Sequence, residues 1–420
     1  MKRIFISLFF FAFMWTAAGA DASPELLFVR WPANPDAVWY SFRIVPVTQH
    51  FGRKEMRPPI YEDGHVFRDS VMIEKEITDS YDGPGILCCQ VKAIGLDGQS
   101  ISAYSAPVPM EKAAQEMERY APKIRVKYHE QNGTVLLYPA YSFVKIPHAV
   151  SYEVEITDEE PENPDGCEPS VHRISQGIVT IPELFDELPR QGTVWWRVRG
   201  LDENGGPIGV WSEAEKIVND PAENWETGIL GDSISHGGGR MSYSPADWSY
   251  NYAYYLDFPT INMSRSGDKT DDLLRRFDAD VLPFHVRYLL IMGGTNNLRC
   301  GGMAEEVISD LEALQEKCRS GGIEPVLLTI PPISPDRIWK YYQQPTAENW
   351  KAEFDKVNGW IRTQTHIDTA APFAMYEDMP ENLAADGLHP DKEAKEKMGK
   401  IINEKFPEIR KKISETKIQK

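Results

Sequence analysis

The stretch Thr227-Gly228-Ile229-Leu230-Gly231-Asp232-Ser233-Ile234-Ser235 decides how the chain is read. A short apolar run ends in a glycine, an acid and a hydroxyl residue, the pattern of a buried strand that hands over to a helix N-terminus. Downstream the alternation continues. Apolar strands are expected at 227–230, 260–263, 288–292, 325–330 and 367–369, with helices over 271–277, 304–318, 347–363 and 392–406. In the second of these helices Val307, Leu311, Leu314 and Cys318 fall three or four apart on one stripe. Five βα units predict a single three-layer α/β domain over residues 221–420, its parallel sheet covered on both faces.

Upstream of Asn219 the pattern differs. Alternating runs such as Trp39-Tyr40-Ser41-Phe42-Arg43-Ile44 and Cys89-Gln90-Val91-Lys92-Ala93 sit between clusters of Pro, Asp and Gly, which is strand-and-turn patterning. The design returns about a hundred residues later, in Tyr152-Glu153-Val154-Glu155-Ile156 and Trp196-Arg197-Val198-Arg199. Val91 lies thirteen residues before Tyr104-Ser105, and Val198 thirteen before Trp211-Ser212. Pro32-Ala33 ahead of Ala37-Val38-Trp39-Tyr40 parallels Pro139-Ala140 ahead of Ala149-Val150-Ser151-Tyr152. The register indicates an internal duplication. With Leu96-Asp97-Gly98 and Leu201-Asp202 in the late turn, these segments resemble fibronectin type III modules, which implies two tandem all-β sandwiches at 21–112 and 113–220. Trp195, Trp196 and Trp211 are read as core of the second. Residues 110–120 are helix-compatible and are expected to link the two.

Hydrophobic residues at 42% and charged residues at 26% are the proportions of a folded globular protein. Lys2 and Arg3 precede an apolar run from Ile4 to Trp15, and Ala18-Gly19-Ala20 offers small residues for cleavage, so 1–20 reads as a secretory signal peptide. The run is shorter than the roughly 20 apolar residues that span a bilayer. A secreted or periplasmic protein with no membrane insertion after cleavage is expected. The net charge of −18 excludes nucleic acid as a partner, since the Lys-rich stretch from Lys411 to Lys420 is a solvated end rather than a basic patch. Five cysteines leave at least one thiol unpaired and show no metal-site spacing; Cys300 and Cys318 are the pair considered for a bridge.

Four short signals fall at the carboxyl ends of the expected strands, where an open α/β sheet binds its ligands. They are Gly231-Asp232-Ser233-Ile234-Ser235, Asn262-Met263-Ser264-Arg265-Ser266-Gly267, Gly293-Gly294-Thr295-Asn296-Asn297 and Asp386-Gly387-Leu388-His389-Pro390. Each alone also describes an ordinary capping turn or loop. Together they supply a serine hydroxyl, a glycine N–H, a side-chain amide, and a carboxylate three residues from an imidazole, the parts of a nucleophile, base and oxyanion site. In order and spacing the four blocks, spanning about 225–410, closely resemble the SGNH (GDSL) hydrolases.

The resemblance implies a flavodoxin-like sheet, ester hydrolysis without metal or organic cofactor, a triad of Ser233, His389 and Asp386, and an oxyanion hole made by Ser233 N–H, Gly267 N–H and the Asn296 amide. Asn297 departs from the pattern, which usually carries Asp there; the Gly-x-Ser-x-Gly elbow of the neighbouring α/β-hydrolases is absent around Ser233.

His236 lacks a carboxylate partner in its own segment and reads as a pocket-wall residue. Gly237-Gly238-Gly239-Arg240 lacks the phosphate-loop pattern and reads as a rim, with Arg240 a candidate contact for an acidic substrate. Among the aromatics after Ser233, packing claims most, and Trp248 is the candidate for stacking on a sugar. Export, the β-sandwiches and a Gly-, Ser- and Tyr-rich segment in place of an apolar lid favour an acetylesterase acting on carbohydrate. The competing readings are lipid-acyl or thioester hydrolysis, and a non-catalytic carbohydrate-binding or adhesion protein.

Overall fold

The computed structural model describes residues 25–418 apart from 35–36, 51–52, 96–97, 126–132, 224, 239–244 and 246; the expected leader, the Leu96-Asp97 turn, Gly239 and Arg240 lie outside the described residues. The N-terminal half is built of antiparallel sheets. In the first module Leu26–Arg30 lies between Ser70–Glu74 and Ala114–Met117, and Trp39–His50 pairs with Arg53–Met56, Tyr61–Val66 and Ile86–Ile94. The alternating side chains seen in the sequence put Val29, Phe42, Ile44 and Ile73 into one core.

The helix expected over 110–120 is a correction. Only Met110–Ala113 is helical, and Ala114–Met117 pairs with Leu26–Val29. Helix propensity loses there to a sheet edge with free N–H and C=O groups and to the inter-module core that Met117 packs against. The first module therefore runs past the expected 112/113 boundary.

In the second module Ser151–Thr157 is flanked by Arg173–Val179 and Gly192–Leu201, and a smaller sheet holds Lys123–Ile124, Ala140–Val144 and Glu183–Phe185. Trp196 and Trp211 are buried; Trp195 is half-buried under Lys216.

The α/β sheet has six parallel strands: β1 (Val135–Leu136), β2 (Thr227–Gly231), β3 (Ile261–Asn262), β4 (Tyr288–Met292), β5 (Glu324–Leu328) and β6 (His366–Ile367), in the order β1-β3-β2-β4-β5-β6. The last five are the expected strands in the flavodoxin-like order. Strand β1 was not expected, because it belongs by sequence to the second β-module. Helices α1 (Ser233–His236), α2 (Thr270–Asp280), α3 (Thr295–Arg299), α4 (Ala304–Ser320), α5 (Pro335–Tyr342), α6 (Trp350–Ile361) and α7 (Lys392–Ile418) follow the strands. The inward stripes of α2, α4 and α6 cover one face of the sheet, and α7 with the turn Tyr252–Tyr255 covers the other. All five cysteines are free, Cys300 exposed and Cys318 buried in the stripe of α4.

Candidate active site

Strand β2 ends in Gly231, where a β-carbon would stand 2.5 Å from Met292 O and 2.7 Å from Ser235 Oγ; only glycine lets the chain turn here. Asp232 caps α1 by accepting from Ile234 N–H at 2.9 Å, which leaves Ser233 as the first residue of the helix. Its hydroxyl lies 3.0 Å from His389 Nε2, and His389 Nδ1 lies 2.8 Å from Asp386 Oδ2. Asp386 is fully buried, and its other oxygen accepts from Leu388 N–H and His389 N–H, both at 2.8 Å. Burial would raise its pKa. The hydrogen bonds from His389 and Tyr342 outweigh this and hold the carboxyl at about 2, so it stays ionised.

Tyr342, at the end of α5, donates to Asp386 Oδ2 at 2.5 Å. Sequence reading missed it, because α5 itself was not expected and no local motif marks a tyrosine that approaches the triad from another loop. Lys395 was missed although its helix was expected over 392–406, because no local motif marks it. Fully buried on α7, it donates to Ile234 O beneath α1. Burial pulls its ammonium down to about 7 against the opposing charges of Asp232, Asp391 and Asp386. Burial likewise pushes Asp232 up to about 6, against Ile234 N–H, His389 and Lys395.

The turn after β3 places Gly267 at φ +91 with open space before its α-carbon. Among the described residues neither Ser233 N–H nor Gly267 N–H has a protein acceptor. Asn296 donates through Nδ2 to Asp268 O at 2.9 Å and accepts from Arg299 at 3.3 Å, which orients its amide toward the Gly267 turn. It sits behind Asp268 rather than in the lining of the cleft. Asn297, at the position where the sequence departs from the family, accepts from Thr270 N–H at 3.1 Å and so caps α2.

His236 is buried and neutral: burial, with Arg276, Lys395 and Arg265 nearby, draws it down to about 4 against its bond to Tyr138. Nε2 bonds Tyr138 O at 2.8 Å and Nδ1 accepts from Ser266 N–H at 3.3 Å. The nucleophile helix is thereby tied to the Gly267 turn and to the second β-module at once. Trp248 opens the turn Trp248–Tyr250, and Tyr252, fully buried, donates to Ser235 Oγ at 2.9 Å.

A cleft of about 780 Å³ opens over Ser233, His389, Gly267 and Tyr342. Phe185, Asp186, Glu187 and Leu188 of the second β-module also line it. A smaller cavity of about 240 Å³ lies between the two β-modules, and no triad residue lines it. Among the described residues no cluster of His, Cys, Asp or Glu is arranged to hold a metal, and no helix is long and apolar enough to cross a membrane.

The fold is that of an α/β acylhydrolase domain. Residues 229–397 match the GDSL-like Lipase/Acylhydrolase family and form a domain of that family. No curated protein matches the chain. Among solved structures, a GDSL-like lipase from Bacteroides thetaiotaomicron VPI-5482 is 16% identical, covering 45% of this chain and 90% of that one, with a TM-score of 0.37. The lipase/acylhydrolase from Enterococcus faecalis is 25% identical over 43% and 94%, TM-score 0.35. An acetyl-xylooligosaccharide esterase from Geobacillus Stearmophilus is 18% identical over 42% and 92%, TM-score 0.34.

Proposed function

We propose that this protein is an exported serine esterase that removes O-acetyl groups from carbohydrate. The observation that carries the mechanism is the unbroken relay from Ser233 Oγ through His389 to the ionised Asp386. His389 Nε2 takes the hydroxyl proton as Ser233 attacks the ester carbonyl, and Asp386 stabilises the imidazolium. The tetrahedral oxyanion is met by the N–H groups of Ser233 and Gly267, while Asn296 holds the Gly267 turn from behind through its bond to Asp268 O. Collapse expels the alcohol with the proton held by His389. Water, activated by the same imidazole, then frees the acid from Ser233.

The short acyl group is supported by the lining of the cleft. Among the described residues Ser233, His236, Arg265, Ser266, Asp268 and Asp272 line the cleft, and its large apolar side chains Phe185 and Leu188 are exposed, a polar lining that favours a short acyl group over a long hydrocarbon. Export is supported by the leader pattern at 1–20.

Acetate release from acetylated polysaccharides and from 4-nitrophenyl acetate tests the reading. Ser233→Ala is expected to lower kcat by about 10⁴–10⁶. Asp386→Asn is expected to lower it by about 10⁴, by freeing the wrong tautomer of His389. Asn296→Ala, which frees the Gly267 turn to shift, should cost about 10²-fold in kcat with KM little changed. Undiminished hydrolysis by Ser233→Ala would remove the mechanism; Ser233-dependent cleavage of long acyl esters alone would remove the acetyl-carbohydrate assignment.

A further inference from the structure

Part of the lining of the cleft is contributed by a module outside the acylhydrolase domain, and that part is held by a network of hydrogen bonds. Asp186 accepts from Tyr141 OH at 2.7 Å, from Arg190 Nε at 2.6 Å and from Leu188 N–H at 3.0 Å, while its own N–H donates to Pro139 O at 2.9 Å. Arg190 N–H donates to Leu137 O at 2.8 Å, and Gln191 reaches Ala279 O of α2 at 2.8 Å. A loop whose acid is spent on its own anchoring holds its remaining side chains in fixed places. Those side chains are Phe185 and Leu188, 39% and 56% exposed, and Glu187, which has no ion-pair partner among the described residues.

The charges across the cleft are matched elsewhere. Arg265 pairs with Asp268 at 2.8 Å, and Asp268 also holds Arg276 at 2.6 Å. Asp272 pairs with Arg275 at 2.6 Å. Glu187 is thus the charge left over among the described residues of the cleft, on a chain of net −18. Two exposed apolar faces separated by a carboxylate do not enclose a hydrocarbon, but they suit a polyol, whose C–H face packs on the ring and whose hydroxyls donate to the acid.

Taking the esterase reading as its ground, we infer that the loop Phe185–Leu188 is the subsite for the alcohol half of the ester, and that it takes a neutral, hydroxyl-rich alcohol and rejects an anionic one. The second β-module is then part of the substrate site rather than a spacer.

The test measures binding on the full chain carrying Ser233→Ala, so that no turnover occurs, with partially O-acetylated cellotetraose as neutral probe and partially O-acetylated tetragalacturonate as anionic probe. Cellotetraose is expected to bind, and adding Phe185→Ala with Leu188→Ala is expected to weaken it at least tenfold. Adding Glu187→Lys, an exposed position whose change leaves the fold in place, is expected to raise affinity for the galacturonate several-fold at low salt. Affinities unmoved by the loop substitutions, or a parent that binds neither probe, would overturn the subsite. Loop-dependent binding by a chain whose wild type hydrolyses no ester supports the subsite and removes the esterase reading alone. Ser233-dependent hydrolysis with loop-independent binding removes the subsite alone.

Discussion

The two β-modules share a sequence design and differ in what their first strand does. In the first, Leu26–Arg30 pairs within its own module, and Trp31 stacks on Phe42 at 5.6 Å in its own core. In the second, the segment ahead of the matching Pro139-Ala140 leaves its module. Val135–Leu136 becomes an edge strand of the acylhydrolase sheet, and Tyr138, standing where the first copy has Trp31, donates to Asp280 of α2 at 2.6 Å. Asn219 fastens the departure point by donating to Leu136 O at 2.8 Å and Arg190 O at 3.0 Å. The first module has a self-contained edge; the second gives that edge to a neighbour and lines its cleft.

Truncation breaks the comparison most strongly. A chain starting at residue 221 loses β1, the Tyr138 bonds and the cleft wall, and is expected to lose at least about 10²-fold in kcat/KM, since displacements of about 1 Å near a reacting group cost that much. A chain starting at 119 uncovers the part of the second core that Leu26 and Met72 close. It should melt at lower temperature yet hold kcat/KM within the same order of magnitude. Equal losses in the two chains would erase the distinction.

A pH series sharpens it further. The folded chain keeps His236 unprotonated down to about 4, whereas the unfolded chain takes up a proton near 6.5. The His236 contribution to stability is therefore lost as pH falls from 6.5 toward 4, by on the order of 3 kcal/mol, while Asp232, held up at about 6, acts in the opposite sense over the same window because the folded chain takes up its proton first. Chemical denaturation across that window should show wild type losing stability relative to His236→Gln as pH falls, and the same difference should appear when both are compared in the chain starting at 119. The histidines of the first module that the structure describes, His50 and His65, are exposed.

The smallest effect is the paired substitution of Tyr138→Phe and Trp31→Phe. Each should cost about 1 kcal/mol of stability by thermal melting. Only Tyr138→Phe should also lower kcat/KM, because His236 and the Gly267 turn hang on the same backbone.

The parallel strands, their order and the four motif residues were legible because each is announced locally: a strand by its apolar run, Ser233 and His389 by short spacings on one loop. What was not legible joins distant segments. Strand β1 is two residues long, too short for a period, and its partner is in another domain of the sequence. Tyr342 and Lys395 reach the triad from helices whose periodicity describes packing on the sheet rather than a direction toward Ser233. The helix expected over 110–120 failed for the converse reason: its local propensity was real, and the free edge of Leu26–Arg30 overrode it. The Phe185–Leu188 loop carries no motif that marks a site, and its place beside the cleft follows from the diverted strand.

That strand also sets an order of events during synthesis. Thr134 and Thr260, whose hydroxyls meet at 3.1 Å beside it, are 126 residues apart. At about 5–20 residues per second the first waits on the ribosome roughly 6–25 s for the second. The second module can close its own sheets in that time, but its diverted edge stays open until the acylhydrolase domain arrives. Two residues between Gly133 and Pro139 are a poor template for a wrong partner, so the shortness that hid the strand from sequence reading also protects the nascent chain.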